Sequence, residues 1–173
     1  AEQNLWLGMD NGIDQVLIHS PLSYLRTQND IGAGYAAKVF NGRIYLGTNQ
    51  GLFWIPAQFG QVGPSRIPIA QRVPECTGQV WALKVQGDEL LIAHNRGSFA
   101  IKNNKIRQIY NESGSWNFLE IPGDEEHLIQ GTYNGLVVYK IGERGVEFDF
   151  KVDGNSVTTG EIDGVLRTSN NEA

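Results

Sequence analysis

One short phrase recurs along this chain: LWLGMDNGIDQV at 5–16, IYLGTNQGLFWI at 44–55 and LIQGTYNGLVVY at 128–139. A more divergent copy, LIAHNRGSFAI, occupies 91–101. Each copy is an apolar run, a small residue, a short polar stretch, a glycine and a second apolar run. The four turn glycines, Gly12, Gly51, Gly97 and Gly135, stand 39, 46 and 38 residues apart. No stretch of the chain has helical periodicity. A period near 40 without helices selects β-propeller blades over helical solenoids, whose units are pairs of helices. The fold class is therefore all-β. Twenty-one glycines and 19% charged residues suit a chain with many tight turns, and 40% apolar content can bury a core.

The motif's chemistry is that of a hairpin. A polar residue followed by glycine between two β-rich runs makes a tight turn, with the glycine taking a positive φ that side chains resist. The small residue before each turn, Gly8, Gly47, Ala93 or Gly131, lets neighbouring sheets approach closely near the propeller axis.

Reading outward from each hairpin divides the chain into a partial blade 1 (1–30), blade 2 (31–75), blade 3 (76–112), blade 4 (113–153) and a partial blade 5 (154–173). The strands expected in blade 2 are Tyr35–Phe40, Arg43–Thr48, Leu52–Ile55 and Arg66–Ile69. Blade 3 takes Val80–Val85, Glu89–Ala93, Ser98–Ile101 and Ile106–Tyr110, and blade 4 takes Trp116–Ile121, His127–Thr132, Leu136–Ile141 and Val146–Val152. Blade 1 lacks its innermost strand. Blade 5 has one near Ser156–Ile162 and the start of another at Val165–Thr168. Three whole blades and two partial ones must pair their ends in a small ring or leave open edges for neighbours to cover. Because the sequence starts and stops within repeats, we expect it to be a piece of a larger propeller.

These columns resemble the two-component regulator propeller repeat: an apolar residue, Trp, Ile, Gly, Thr, two variable residues, Gly and Leu. Gly8, Asn11 and Gly12 match in the first copy, Gly47, Thr48, Gly51 and Leu52 in the second, and Gly131, Thr132, Gly135 and Leu136 in the fourth. The third copy departs, with Ala93-His94 for Gly-Thr and Ser98 for Leu. The resemblance implies a periplasmic sensor region of a membrane-anchored bacterial regulator. In such proteins a domain with a three-tyrosine motif, a membrane helix and a histidine kinase or helix-turn-helix output follow the propeller. The run from Val80 to Tyr139 is most similar to the helix-turn-helix branch. No output element is present in this sequence, so any kinase activity would belong to another domain.

Bulk charge bears on partners. A net charge of −5 without a Lys/Arg cluster argues against direct nucleic-acid binding. No apolar run of about 18 residues occurs, so a membrane would be met only through a segment absent from this sequence. The single cysteine, Cys76, excludes an internal disulfide. It is read as an isolated thiol in a loop after Pro74.

Catalytic and cofactor motifs are thin. Gly32-Ala33-Gly34-Tyr35-Ala36-Ala37 spells a dinucleotide fingerprint but is followed by strand-forming residues where that motif needs a helix, so no nucleotide and no other cofactor is expected. His19, His94 and His127 have no carboxylate or cysteine at ligand spacing, so no metal is expected. His94 simply replaces the threonine of the repeat. Asp124-Glu125-Glu126 reads as a solvated turn beside Pro122-Gly123, and no carboxylate pair or activated nucleophile stands out. The chain is read as a non-enzyme.

The informative column lies at the start of each innermost strand: Tyr35, Trp81 and Trp116, with Val157 in the fifth repeat. Rings there either stack on a sugar or other planar ligand, or seal the gap between blades. Trp6 and Trp54 lie in alternating strands and read as core. The functional expectation is an extracytoplasmic sensor propeller for a small extracellular ligand, an oligosaccharide in the first instance. The alternatives are a self-associating scaffold that binds no small molecule and, third, a piece of a propeller glycosidase.

Overall fold

The computed structural model describes residues 5–10, 12–16, 31–58 and 69–152. These residues form fourteen strands and no helix. Strands β1 (Leu5–Met9) and β2 (Gly12–Val16) make a hairpin. Three four-stranded antiparallel sheets then follow in chain order. Blade 2 is β3 (Gly34–Phe40), β4 (Arg43–Thr48), β5 (Gly51–Pro56) and β6 (Gln71–Thr77). Blade 3 is β7 (Val80–Gln86), β8 (Glu89–His94), β9 (Gly97–Lys102) and β10 (Lys105–Tyr110). Blade 4 is β11 (Phe118–Ile121), β12 (Asp124–Thr132), β13 (Gly135–Gly142) and β14 (Gly145–Val152). Each sheet is a simple meander, and the first strands touch across the blades, β3 against β7 and β7 against β11. This is a β-propeller fragment. Among the described strands no sheet closes on itself.

The core lies between blades. Phe40, Tyr45, Leu52 and Cys76 of blade 2 pack on Val80, Leu83, Leu90, Ile92, Phe99 and Ile101 of blade 3. Leu91, Ala93, Ala100, Ile109 and Tyr110 on the opposite face pack on Phe118, Leu128, Val137, Tyr139 and Val146 of blade 4. Blade 3 is thus covered on both sides. All six residues of β8, ELLIAH, are buried, which is why that strand reads as a nearly continuous apolar run instead of an alternating one.

Glycine placement follows from close approach. At Gly47 a Cβ would lie 2.7 Å from Cγ1 and 3.1 Å from the carbonyl oxygen of Val80, on the innermost strand of the next blade. The turn glycine Gly51 has φ of 145°, and a Cβ there would lie 2.6 Å from the Cys76 carbonyl at the end of β6. Its hairpin therefore needs glycine for conformation and for space.

Four boundaries differ from expectation. Strand β12 begins at Asp124 and not at His127, so Asp124-Glu125-Glu126 are strand residues and the turn is Pro122-Gly123 alone. The outermost strand of blade 2 is Gln71–Thr77, not Arg66–Ile69, of which Arg66–Pro68 lie outside the described residues and Ile69 precedes the strand. Its apolar contacts come from Val73 and Cys76, hidden in sequence among Gln71, Arg72, Pro74 and Glu75; an outermost strand tolerates such a proline. Cys76 is consequently a buried strand residue instead of a loop thiol, and the divide between blades 2 and 3 falls at Gly78-Gln79. Finally, β11 begins at Phe118, two residues beyond Trp116. The strands expected at Ser156–Ile162 and Val165–Thr168, and His19, lie outside the described residues.

Candidate functional site

Tyr35 and Trp81 occupy equivalent irregularities. In blade 2 the register pairs Gly34 with Thr48 and then Ala36 with Gly47, so Tyr35 is an extra residue. In blade 3 it pairs Val80 with His94 and then Ala82 with Ala93, so Trp81 is the extra residue. A β-bulge re-aims a side chain out of the strict alternation of the strand. Trp116 stands in the lead-in to β11, its N–H donating to the Gly131 carbonyl at 3.0 Å.

The three rings meet. Tyr35 and Trp81 have centroids 5.3 Å apart, and Trp81 and Trp116 4.7 Å apart. A fourth ring, Tyr133, stands edge-on to Trp116 at 5.6 Å. Tyr133 comes from the β12–β13 turn, where blades 2 and 3 carry Asn49 and Asn95. Its ring fits only because Gly114, with φ of 83°, has no Cβ to collide with it. The result is one aromatic tier across three blades on the rim that carries the hairpin turns. It bridges both seams, and it remains open to solvent at its ends, where Tyr35 is 48% and Tyr133 37% exposed.

Beneath the tier are polar atoms with no hydrogen-bond partner: Nε1 of Trp81 and Trp116, the Ser115 hydroxyl and Oδ1 of Asn95. Ser115 is wholly buried, and its N–H donates to the His94 carbonyl while the Gly114 N–H donates to the Asn95 carbonyl. These contacts place Ser115 at the seam between blades 3 and 4, while Oδ1 of Asn95 faces Gly78 at the divide between blades 2 and 3. Buried polar groups without a protein partner are costly, so these atoms call for a partner from outside the protein, ordered water included.

Other sequence candidates have plainer roles. Thr48 and Thr132 each clamp their turn, donating to the carbonyl of the turn glycine and accepting an N–H two residues on. His94 does the threonine's work differently. Its Nδ1 accepts the Arg96 N–H at 2.9 Å and its Nε2 donates to the Thr77 carbonyl at 3.2 Å. Burial, with Arg96 adding to it, pushes the imidazole down to about 4. Burial first, then the Glu75 charge, pushes the Cys76 thiol up to about 12, which leaves it a poor nucleophile.

His127 corrects the expectation that the histidines lack a nearby carboxylate. Its Nδ1 lies 2.8 Å from Asp124 and its Nε2 3.7 Å from Asp149 of β14, two strands away in the same sheet. Asp124 also caps the Glu126 N–H, so it is an organised group and not a free solvated carboxylate. The hydrogen bond from His127 holds Asp124 below the usual carboxylate range. Among the described residues no three His, Cys, Asp or Glu side chains are grouped to hold a metal. Trp54 is partly buried against the core between blades 2 and 3, as expected; the Trp6 side chain lies outside the described residues.

The fold and rim define the class: a β-propeller fragment with an aromatic tier on its hairpin face. No protein-family model and no curated protein matches the sequence. Among solved structures, the chain is similar to the computationally designed Ika4 protein, with 11% identity and a TM-score of 0.55 over 86% of this chain and 88% of that one. It is also similar to the WD40 β-propeller domain of Doa1, with 11% identity and a TM-score of 0.47 over 91% of this chain and 49% of that one. At such identity the Ika4 likeness is one of fold alone.

Proposed function

We propose that this chain is the ligand-recognition propeller of an extracytoplasmic sensor in a bacterial signal-transduction regulator, and that it binds an oligosaccharide on the tier Tyr35–Trp81–Trp116–Tyr133. The observation that supports this reading is the continuity of the tier over three blades together with unpaired donors and acceptors beneath it. Sugars present flat C–H faces edged by hydroxyls. Aromatic faces take the first and indole N–H, hydroxyl and amide groups take the second. Signalling then requires that the ligand bind two receptor geometries with different affinity. The periplasmic setting and the regulatory output rest on the resemblance of the repeats alone.

A second reading, a self-associating scaffold, is favoured by Phe148 and Phe150, which stand 45% and 51% exposed on the outermost strand β14. Thermal melting of the chain against an oligosaccharide panel separates the two. We expect at least one sugar to raise the melting temperature, and Trp116→Ala to remove the shift while keeping the fold, a loss of about 2 kcal/mol or roughly 30-fold in affinity. No shift with any sugar, and a melting temperature that rises with protein concentration, would overturn the sensor reading in favour of the scaffold.

A further inference from the structure

Where blades 2 and 3 splay apart, away from the aromatic tier, a cleft of about 520 Å³ opens between them. That volume suits a small molecule. Its walls come from β4, β5 and β6 on one side and from the β9–β10 hairpin on the other.

The charge of this lining is opposite to that of the chain. Arg43, Arg72 and Lys105 line the cleft with a single carboxylate, Glu75, in a protein of net charge −5. None of the three cations has an ion-pair partner among the described residues. Arg72 is otherwise engaged: its guanidinium lies 4.8 Å over Phe53 and donates to the Gln50 carbonyl at 2.9 Å. Arg43 is held but not satisfied. Its guanidinium stacks 4.0 Å over Trp54, and one Nη1 donates weakly to the Tyr45 hydroxyl at 3.4 Å. Stacking fixes the plane of the fork and leaves its edge donors free, which is the arrangement that grips a carboxylate with two parallel hydrogen bonds.

We propose that the cleft between blades 2 and 3 is a second binding site, for a sugar-sized carboxylate such as a uronic acid, gripped by Arg43 and Lys105. The ligand body lies along the apolar wall of Trp54, Val73 and Ile106. The cleft's charged side chains are three cations and one carboxylate, a net +2, and with Arg72 held on the Gln50 carbonyl the planar Arg43 fork and the neighbouring Lys105 match the flat two-oxygen edge of a carboxylate. A low-dielectric wall beside that charge strengthens the attraction. This site is separate from the aromatic rim and stands or falls without it.

Calorimetric titration of the full chain with galacturonate, galactose and inorganic phosphate tests the assignment. Galacturonate should bind, weakening several-fold as salt rises from about 20 to 200 mM as the charge is screened, and galactose should not. Arg43→Gln should weaken galacturonate about tenfold or more. Lys105→Glu, at an exposed position, covers the case in which the Arg43 variant fails to fold, and it should abolish binding. Trp116→Ala should leave galacturonate affinity unchanged, and its loss there would move the ligand to the rim and overturn the assignment. Equal binding of galactose, tighter binding of phosphate, no binding of galacturonate, or unchanged affinity in Lys105→Glu would each do the same.

Discussion

The two seams that flank blade 3 are closed by different means. Between blades 3 and 4 the apolar core is pinned by directional bonds. Ser98 donates to Oε1 of Gln130 at 2.7 Å, and the Tyr139 hydroxyl donates to the same oxygen at 2.6 Å. At the far end Glu89, 1% exposed on β8, accepts from Arg107 at 2.9 Å and from the Val146 N–H at 2.7 Å, while Arg107 also donates to the Val146 carbonyl. Between blades 2 and 3 the middle is wholly apolar. Among the described residues its side-chain polar bridges lie at the hairpin rim, from His94 to Thr77 and from Arg96 to the Glu75 carbonyl, and the outer end opens into the cationic cleft. Apolar area sets how tightly blades adhere, while buried hydrogen bonds set one register. A seam fixed at one edge can hold a cleft at the other.

Breaking the pinned seam should give the largest effect. In Glu89→Ala the Arg107 guanidinium and the Val146 N–H lose their shared acceptor. The cost should be about 3–4 kcal/mol, most of it from the Val146 N–H left without an acceptor and the space left at Glu89, since Arg107 is 38% exposed and can turn to water. Urea unfolding should show a lower midpoint with an unchanged slope. Adding Arg107→Ala should recover part of the loss. A change below about 1 kcal/mol would mean that the Glu89 end of this seam is held by apolar contact, like the middle of the other seam.

The polar rim of the looser seam should appear as a pH dependence. His94 uses both nitrogens as a neutral ring, Nδ1 accepting and Nε2 donating, so a second proton would set two donors against each other. Its folded value, about 4, lies below the ordinary 6.5. The unfolded chain therefore binds the extra proton more readily, and stability from this residue is complete above pH 6.5 and lost as pH falls towards 4. The loss should total about 3 kcal/mol at 1.36 kcal/mol per unit. His94→Thr, which restores the residue found at Thr48 and Thr132, should flatten that slope in chemical unfolding measured across pH. An unchanged slope would place the titration elsewhere.

The blades were legible in sequence because each rests on a local signal. Glycine turns flanked by alternating or continuous apolar runs locate β4, β5, β8, β9, β12 and β13 to within a few residues. The outermost strand β6 was not, because only Val73 and Cys76 of its seven residues face the core, and an outermost strand is not required to be regular. The aromatic column Tyr35, Trp81 and Trp116 was visible as a column, but not that bulges bring the rings into contact, since a bulge depends on the partner strand. Tyr133 was missed because it stands at a turn position held by Asp10, Asn49 and Asn95 in the other copies, and its neighbour Gly114 lies 19 residues away. Arg43 and Lys105 lie 62 residues apart, and only the splay of two blades puts them in one cleft. Ser98 departs from the leucine of the repeat because Gln130 and Tyr139 of the next blade require a hydroxyl, a demand that no local pattern carries.

The smallest expected effect separates the seams most cleanly. Gly47 has no positive φ, so alanine there meets no backbone strain and its only obstacle is Val80 across the seam, with a methyl at 2.7 Å and a carbonyl oxygen at 3.1 Å. Val80 is fully buried and β-branched, so it has little rotamer freedom with which to move aside. Gly47→Ala should cost about 1–2 kcal/mol by overpacking. Gly8 occupies the same column in β1 but meets no atom within 4 Å among the described residues. Gly8→Ala should instead be neutral or gain about 0.5 kcal/mol by restricting the unfolded chain. If the cost at Gly47 comes from the seam, Gly47→Ala in a Val80→Ala background should be less costly than in the parent, as read from paired unfolding curves. If the two substitutions are additive, the blades do not meet at Gly47, and the tight approach of β4 to β7 is not what holds the apolar seam shut.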